Sequence, residues 1–249
     1  MFDHHIAPFF TYLYESYGIN FVFLYDYGVF RKLISGITIS LELMIASVAL
    51  SIIVGIVGAA AQGTHSRAIR TTVSCYIQFF RNTPPFVQLL FFYFGLGSFT
   101  PQVDMGGYFQ PVISSFGWAV LSLGCFGGAF NVEIFRSGIE AVPTSTKEAA
   151  DALGYTRLQA YRYIVLPLAM RVSLPALGIN LISLMKTTSL AYAISVPEIT
   201  YQANQIWSDN VNVPEMMLVL FLFYNIVISL TAWSIQKIEF RLALPGYRR

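Results

Sequence analysis

Four charged residues fall inside apolar runs long enough to cross a lipid bilayer: Glu42, Arg81, Glu133 and Lys186. An ionised side chain at membrane depth is costly and marks a functional site by default. The chemistry on offer is recognition of a zwitterion. A free amino acid needs a cation for its carboxylate and an anion for its ammonium. Arg81 or Lys186 can supply the first, and Glu133 the second. Arg81 is followed by Asn82 and Thr83, then by Pro84 and Pro85, two residues that break a helix. Lys186 is followed by the hydroxyls of Thr187, Thr188 and Ser189. A broken helix persists at membrane depth only where protein or a water-filled cavity satisfies its freed backbone groups. Transporters build substrate sites on such breaks. The candidate substrate-binding set is therefore Arg81, Asn82, Thr83, Glu133, Lys186, Thr187, Thr188 and Ser189. Two plainer readings stand beside it. Arg81 and Glu133 form a structural ion pair, or Arg81 extends along its stem to the headgroups. Glu42 fits a structural role, or a place at the outer mouth, better than substrate contact. Gly127, Gly128 and Ala129, one turn before Glu133, would leave room for a ligand beside the helix.

The elements that must hold these residues are helices. Of the 249 residues, 55% are hydrophobic and 11% charged, against about 25% charged in a soluble protein. A membrane helix needs roughly 20 apolar residues, and five stretches qualify. They run from about Leu33 to Ala61, Thr72 to Gly97 (interrupted at Pro84-Pro85), Gly117 to Ile139, Val172 to Val196 and Glu215 to Ile235. Residues 1–32 are rich in Phe and Tyr, as interfacial segments are. They read as an interfacial segment, with a sixth span as the alternative. Residues 33–241 then form one all-α polytopic domain, and 242–249 a short tail.

Orientation follows from Lys and Arg, which concentrate on cytoplasmic loops. Arg67 and Arg70 follow span one; Lys147, Arg157 and Arg162 follow span three; Lys237, Arg241, Arg248 and Arg249 follow span five. The opposite loops, Ser98 to Phe116 and Pro197 to Pro214, carry none. Only Arg31 and Lys32 argue the other way. The N-terminus is expected outside and the C-terminus in the cytoplasm. The first residues, MFDHHIAPFF, do not have the pattern of a cleaved signal peptide.

Several chemistries find no support. Cys75 and Cys125 lack metal or redox spacing. His4, His5 and His65 fall in termini or loops. No phosphate-loop pattern G-x-x-x-x-G-K-[ST] occurs, so ATP hydrolysis by that route must come from another subunit. No cofactor, metal or nucleic-acid partner is expected. No Ser/His/Asp or paired-carboxylate arrangement suggests a membrane enzyme.

One polar, helix-favouring stretch interrupts the apolar runs: EAADALGYTRLQAYRYIVLP, Glu148 to Pro167. Its Glu148, Ala149, Ala150, Gly154, Ile164, Leu166 and Pro167 match the EAA loop of permease subunits in bacterial ATP-binding cassette (ABC) importers. FRNTPPFVQL at Phe80 to Leu89, FNVEIFRSGI around Glu133, LPLAMRVSLPALG and LMKTTSLAYAISVPEIT also resemble segments of the polar amino acid group, which takes histidine, glutamate, glutamine, arginine and opines. The likeness covers roughly Leu33 to Arg241. It implies a MetI-like permease of the inner membrane, a second permease subunit, an ATP-binding subunit dimer and a periplasmic amino acid-binding protein. The loop, at about 140–167, would form two short cytoplasmic helices that dock on the ATPase through Glu148, Ala149, Ala150 and Gly154. Three departures from the group's pattern are Asn82 for the usual Gly, the added Pro85, and Thr187 for the usual Asp. An ion-driven secondary transporter would explain the buried charges but not the EAA pattern.

Overall fold

A computed structural model describes residues 7–104, 106–107 and 109–242. The expected tail from residue 243, with Arg248 and Arg249, lies outside them, as do His4 and His5. Helix α1 spans Ala7–Tyr17, ahead of a 3-10 turn at Val22–Leu24. Asp26 caps α2, Tyr27–Gln62, by accepting from the Val29 amide at 3.0 Å. That cap starts the helix six residues before the apolar run does. At 1.5 Å per residue, its 36 residues reach about 54 Å. This exceeds the roughly 30 Å hydrocarbon core, so α2 must tilt or project. Arg31 and Lys32 lie in its first turns, where Lys32 meets Asp209 at 3.7 Å in an exposed pair.

The second apolar stretch is not one helix. Helix α3, Arg67–Asn82, is amphipathic: Arg67, Arg70, Ser74, Gln78 and Arg81 recur at helical spacing along one exposed side, while Ile77 and Phe80 are buried on the other. Thr83 and Pro84 are extended, and α4 restarts at Pro85–Leu90, continuing as a π-helix, Phe91–Leu96, and a 3-10 turn, Gly97–Phe99. Pro84 cannot continue a helix, and the residue before a proline is pushed to extended backbone. Gln88 satisfies the break. Its buried amide nitrogen donates to the carbonyls of Phe80 and Thr83, at 2.8 and 3.0 Å, and to Thr83 Oγ1 at 2.9 Å.

A small exposed hairpin follows: β1, Gln102–Asp104, pairs antiparallel with β2, Phe109–Pro111. At its turn, the amides of Gly107 and Gly106 hold the Asp104 carboxyl below the ordinary range. Helix α5, Ser115–Glu140, is capped by Ser114. Helices α6, Thr144–Ala152, and α7, Arg157–Ala160, form the polar hairpin. The chain then runs through a π turn, Tyr161–Val165, into α8, Leu166–Thr187, and a 3-10 segment, Thr188–Ile194. Helices α9, Ile199–Asn210, and α10, Val213–Leu242, complete it.

Among the described residues, four helical stretches are long and apolar enough to cross a membrane: Tyr27–Gln62, Ser115–Glu140, Arg157–Ile194 and Val213–Leu242. The apolar stretch Pro85–Phe99 is shorter.

The centre of the bundle is α5 against α2 and α8. Close approach is the reason for its glycines: a Cβ on Gly128 would strike Val54, and one on Gly127 would strike Leu184 and Ser51. The room expected for a ligand at Gly127, Gly128 and Ala129 is therefore filled by neighbouring helices; all three residues are buried. Side-chain amides, Asn131 buried and Asn180 half-buried, join the same three helices. Asn131 Nδ2 donates to Ser51 Oγ at 3.2 Å, and Asn180 Nδ2 donates to Asn131 Oδ1 and the Gly127 carbonyl at 2.7 and 3.0 Å. Such bonds hold where lipid offers no replacement partner.

The stretch from Pro197 to Pro214, expected as a plain loop, contains α9. Ile199, Ala203 and Ile206 recur at helical spacing and pack with Leu33 and Met216. Glu198, only 1% exposed, caps α9 by accepting from Thr200 and Tyr201 amides at 3.0 and 2.9 Å. Ser40 of α2 donates to Glu198 Oε2 at 3.4 Å and accepts from the Ile199 amide at 2.9 Å. Burial pushes the Glu198 carboxyl above the ordinary range, against the opposing pull of these bonds. A second clasp ties the N-terminal segment down. The Asn20 amide donates to Glu215 Oε1 at 2.6 Å, and Asn212 Nδ2 donates to the Asn20 carbonyl at 3.0 Å.

Candidate functional site

Arg81 and Glu133 meet. The last turn of α3 carries the guanidinium and the C-terminal third of α5 the carboxylate, and Arg81 Nη1 donates to Glu133 Oε2. Their side chains stay 39% and 32% exposed, so the pair borders open space rather than the core. The guanidinium also lies 5.4 Å from the Phe130 ring centroid, one turn along α5. Asn82 donates to Gln78 Oε1 at 3.0 Å, and Thr83 Oγ1 donates to the Phe79 carbonyl. The pair thus sits at the helix break, at one end of the polar stripe of α3.

Lys186 belongs to a different group. It lines a groove of about 260 Å³ with Ser189 and with Tyr224, Asn225, Ile228 and Ser229 of α10. The hydroxyls of Thr187, Thr188 and Ser189 donate to the carbonyls of Ser183, Met185 and Lys186, at 2.8, 2.7 and 3.0 Å. Their hydrogens are spent on the helix; Thr188 is buried, and only Thr187 and Ser189 leave lone pairs for a ligand. The two interruptions still share a core: Leu89 of α4 packs in one cluster with Ala191 and Ile194 of the 3-10 segment. Glu42 is exposed on α2.

The polar hairpin is a helix–turn–helix. Glu148 and Ala149 are exposed on α6, whereas Ala150 is buried. The turn depends on Gly154, whose φ is +80°, with nothing within 4 Å of where a Cβ would stand. Its amide and that of Tyr155 return to the carbonyls of Asp151 and Ala150, at 3.0 and 3.1 Å. Glycine serves here by conformation. Thr156 and Gln159 then close a capping box that starts α7. Leu153 and Leu158, each 76% exposed, project from this hairpin.

Sequence reasoning missed Glu198, Gln88, Asn131 and Asn180. The signal for Glu198 was an acid directly before the Ile199–Ala203–Ile206 stripe. The others are neutral residues that gain meaning only from the helices facing them.

A break in an amphipathic helix, an ion pair beside it and a helical hairpin between long apolar helices define a transport subunit of the membrane. The chain belongs to the family of binding-protein-dependent transport system inner membrane components, whose model matches residues 51–244. It is thus a multi-pass permease subunit of an ABC importer rather than an enzyme, and the ATPase is a separate subunit. It is 32% identical to the probable amino-acid permease protein YxeN of Bacillus subtilis over 79% of this chain and 85% of that one. It is 32% identical to HisQ of Salmonella typhimurium, a histidine/lysine/arginine/ornithine transport system permease protein, over 70% and 76%. A solved amino acid ABC transporter, described with histidines, superposes with a TM-score of 0.74 at 30% identity, covering 85% of this chain and 94% of that one.

Proposed function

We propose that the chain carries a polar amino acid across the inner membrane by alternating access, driven by ATP binding and hydrolysis on a partner. The observation that carries this reading is the hairpin α6–α7. Leu153 and Leu158 leave it exposed to water in the isolated subunit, as a docking element for an ATP-binding subunit dimer would be. Motion pushed through Glu148, Ala149, Ala150 and Gly154 reaches α5 and α8, the helices the hairpin joins. The cargo reading rests on the charges. Arg81 and Glu133, with Asn82 and Thr83, offer both signs to a zwitterion at a helix break; Lys186, Thr187 and Ser189 offer a cation and hydroxyl oxygens.

The stripe leads from Arg67 and Arg70 at the cytoplasmic end of α3 through Ser74 and Gln78 to Arg81 and is exposed, so its polar groups within the membrane need water or protein beside them. A second permease subunit, identical or homologous, closes a shared path there, fed by a periplasmic amino acid-binding protein. The Lys and Arg distribution argues for the hairpin and C-terminus in the cytoplasm. The test is uptake into proteoliposomes holding the permease, its ATPase and its binding protein. Uptake of radiolabelled amino acids should require ATP on the hairpin side. Uptake driven by an ion gradient without ATP would refute the reading in favour of an ion-driven carrier.

A further inference from the structure

We propose that α10 completes a carboxylate-binding station around Lys186, in which Asn225 and Ser229 supply the neutral donors. The proposal rests on the amino acid reading above and extends it to a helix that looks, in sequence, like a plain apolar span.

Lys186 is an exposed ammonium at the C-terminal end of α8, and no ion pair among the described residues involves it. An unpaired charge at membrane depth faces water, protein or a ligand, because lipid would make it costly. Among the described residues, the groove it lines contains no acid. The carboxylate beside Tyr224, that of Glu198, is committed to the amides of Thr200 and Tyr201. Among the described residues Lys186 therefore lacks an anion.

Two of the other lining groups, Ser229 and Asn225, are disposed as donors. Thr231 and Ser234 return their hydroxyls to the carbonyls of Val227 and Leu230, at 2.9 and 2.8 Å. Ser229, on the same helix, makes no such bond among the described residues and lines the groove instead. Asn225 Nδ2 gives one hydrogen to the Phe221 carbonyl at 2.7 Å, which leaves its second hydrogen free. The Tyr224 hydroxyl is buried beside Thr188, Ser189 and Thr200, so Tyr224 gives the groove a wall rather than a donor. One ammonium and two neutral donors lining a groove without an acid suit a carboxylate, the group every amino acid carries whatever its side chain. The station is separate from the Arg81–Glu133 pair, which has both signs.

The test is equilibrium binding of tritiated L-arginine, L-glutamine and L-histidine to the purified permease–ATPase complex in nanodiscs, without binding protein. Wild type should bind at least one of them, and agmatine, which is arginine without its carboxylate, should not compete. Ser229→Ala and Asn225→Leu should each raise Kd by roughly tenfold or more, the usual effect of losing a hydrogen bond to a charged group. Lys186→Met should raise it further, and Lys186→Arg should recover part of the loss. Thr231→Val, whose hydroxyl is turned away into its own helix, should leave Kd unchanged.

Absence of wild-type binding, competition by agmatine, or unchanged Kd in all three groove variants overturns the station. So does dissociation of the permease pair by Lys186→Met, which would make the groove a subunit interface, or loss of co-purified anionic phospholipid with unchanged Kd. ATP-dependent uptake by wild type in proteoliposomes separates the two failures: if it persists, only the station falls; if it is absent for all three amino acids, the import reading falls with it.

Discussion

Replacing Glu133 with Gln keeps the shape of the side chain and removes its charge, and the structure sets two magnitudes apart. If Glu133 only pairs with Arg81, the loss is that of a half-exposed ion pair. With side chains 39% and 32% exposed, solvent screening limits such a pair to about 0.2–1 kcal/mol. Gln can still accept from the guanidinium, and Arg81 keeps its place near the Phe130 ring. That is too little to unfold a bundle held by the α2–α5–α8 packing, so Glu133→Gln complexes should assemble. If Glu133 instead receives the substrate ammonium, the loss is a charge-assisted hydrogen bond, about 1.5–3 kcal/mol, or roughly 10- to 150-fold in transport efficiency. We expect the second result. The assay is initial uptake rate against substrate concentration in proteoliposomes, beside size-exclusion analysis of the variant complex. The double variant Arg81→Gln/Glu133→Gln separates the readings further. A Glu133→Gln complex that fails to assemble, but recovers assembly and transport when Arg81→Gln is added, would show a structural pair and refute the substrate role.

Gly154→Ala should reduce uptake modestly, since a non-glycine residue in left-handed backbone costs about 1–2 kcal/mol with no clash inside the subunit. Gly154→Trp should reduce it much further if the turn docks against an ATPase; equal losses would mean the hairpin is a connector whose turn alone matters. Gln88→Leu strips the donors from two carbonyls at the helix break, and the melting temperature in detergent should fall by the equivalent of about 1–3 kcal/mol; an unchanged value would mean water replaces the amide. Glu198 gives a pH dependence. Its folded-state pKa is raised by burial, so its contribution is full below the ordinary carboxylate value and is lost as pH rises through the raised value; thermal stability should decline over that window, and Glu198→Gln should abolish the decline. In a variant lacking Cys75 and Cys125, a cysteine at Gln102 should react with an impermeant thiol reagent in intact cells and one at Ser145 should not; outside labelling at both would overturn the orientation.

The sequence by itself determined the solvent and the class. Few charges and long apolar runs force helices into lipid, because each helix satisfies its own backbone hydrogen bonds there. The polar stretch from Glu148 to Pro167 stands out from those runs, and its Gly154 marks a turn before any contact is known. Arg81, Glu133 and Lys186 were visible as charges in apolar surroundings. Which of them meet was not, since that depends on how α3, α5 and α8 rotate about their axes, and one-dimensional periodicity leaves that rotation free. Tertiary structure joined Arg81 to Glu133, set Lys186 beside α10 and filled the space at Gly127 and Gly128 with Leu184 and Val54. It also gave Gln88, Asn131 and Glu198 their roles, because a polar side chain acquires a partner only when another helix brings one within hydrogen-bonding distance.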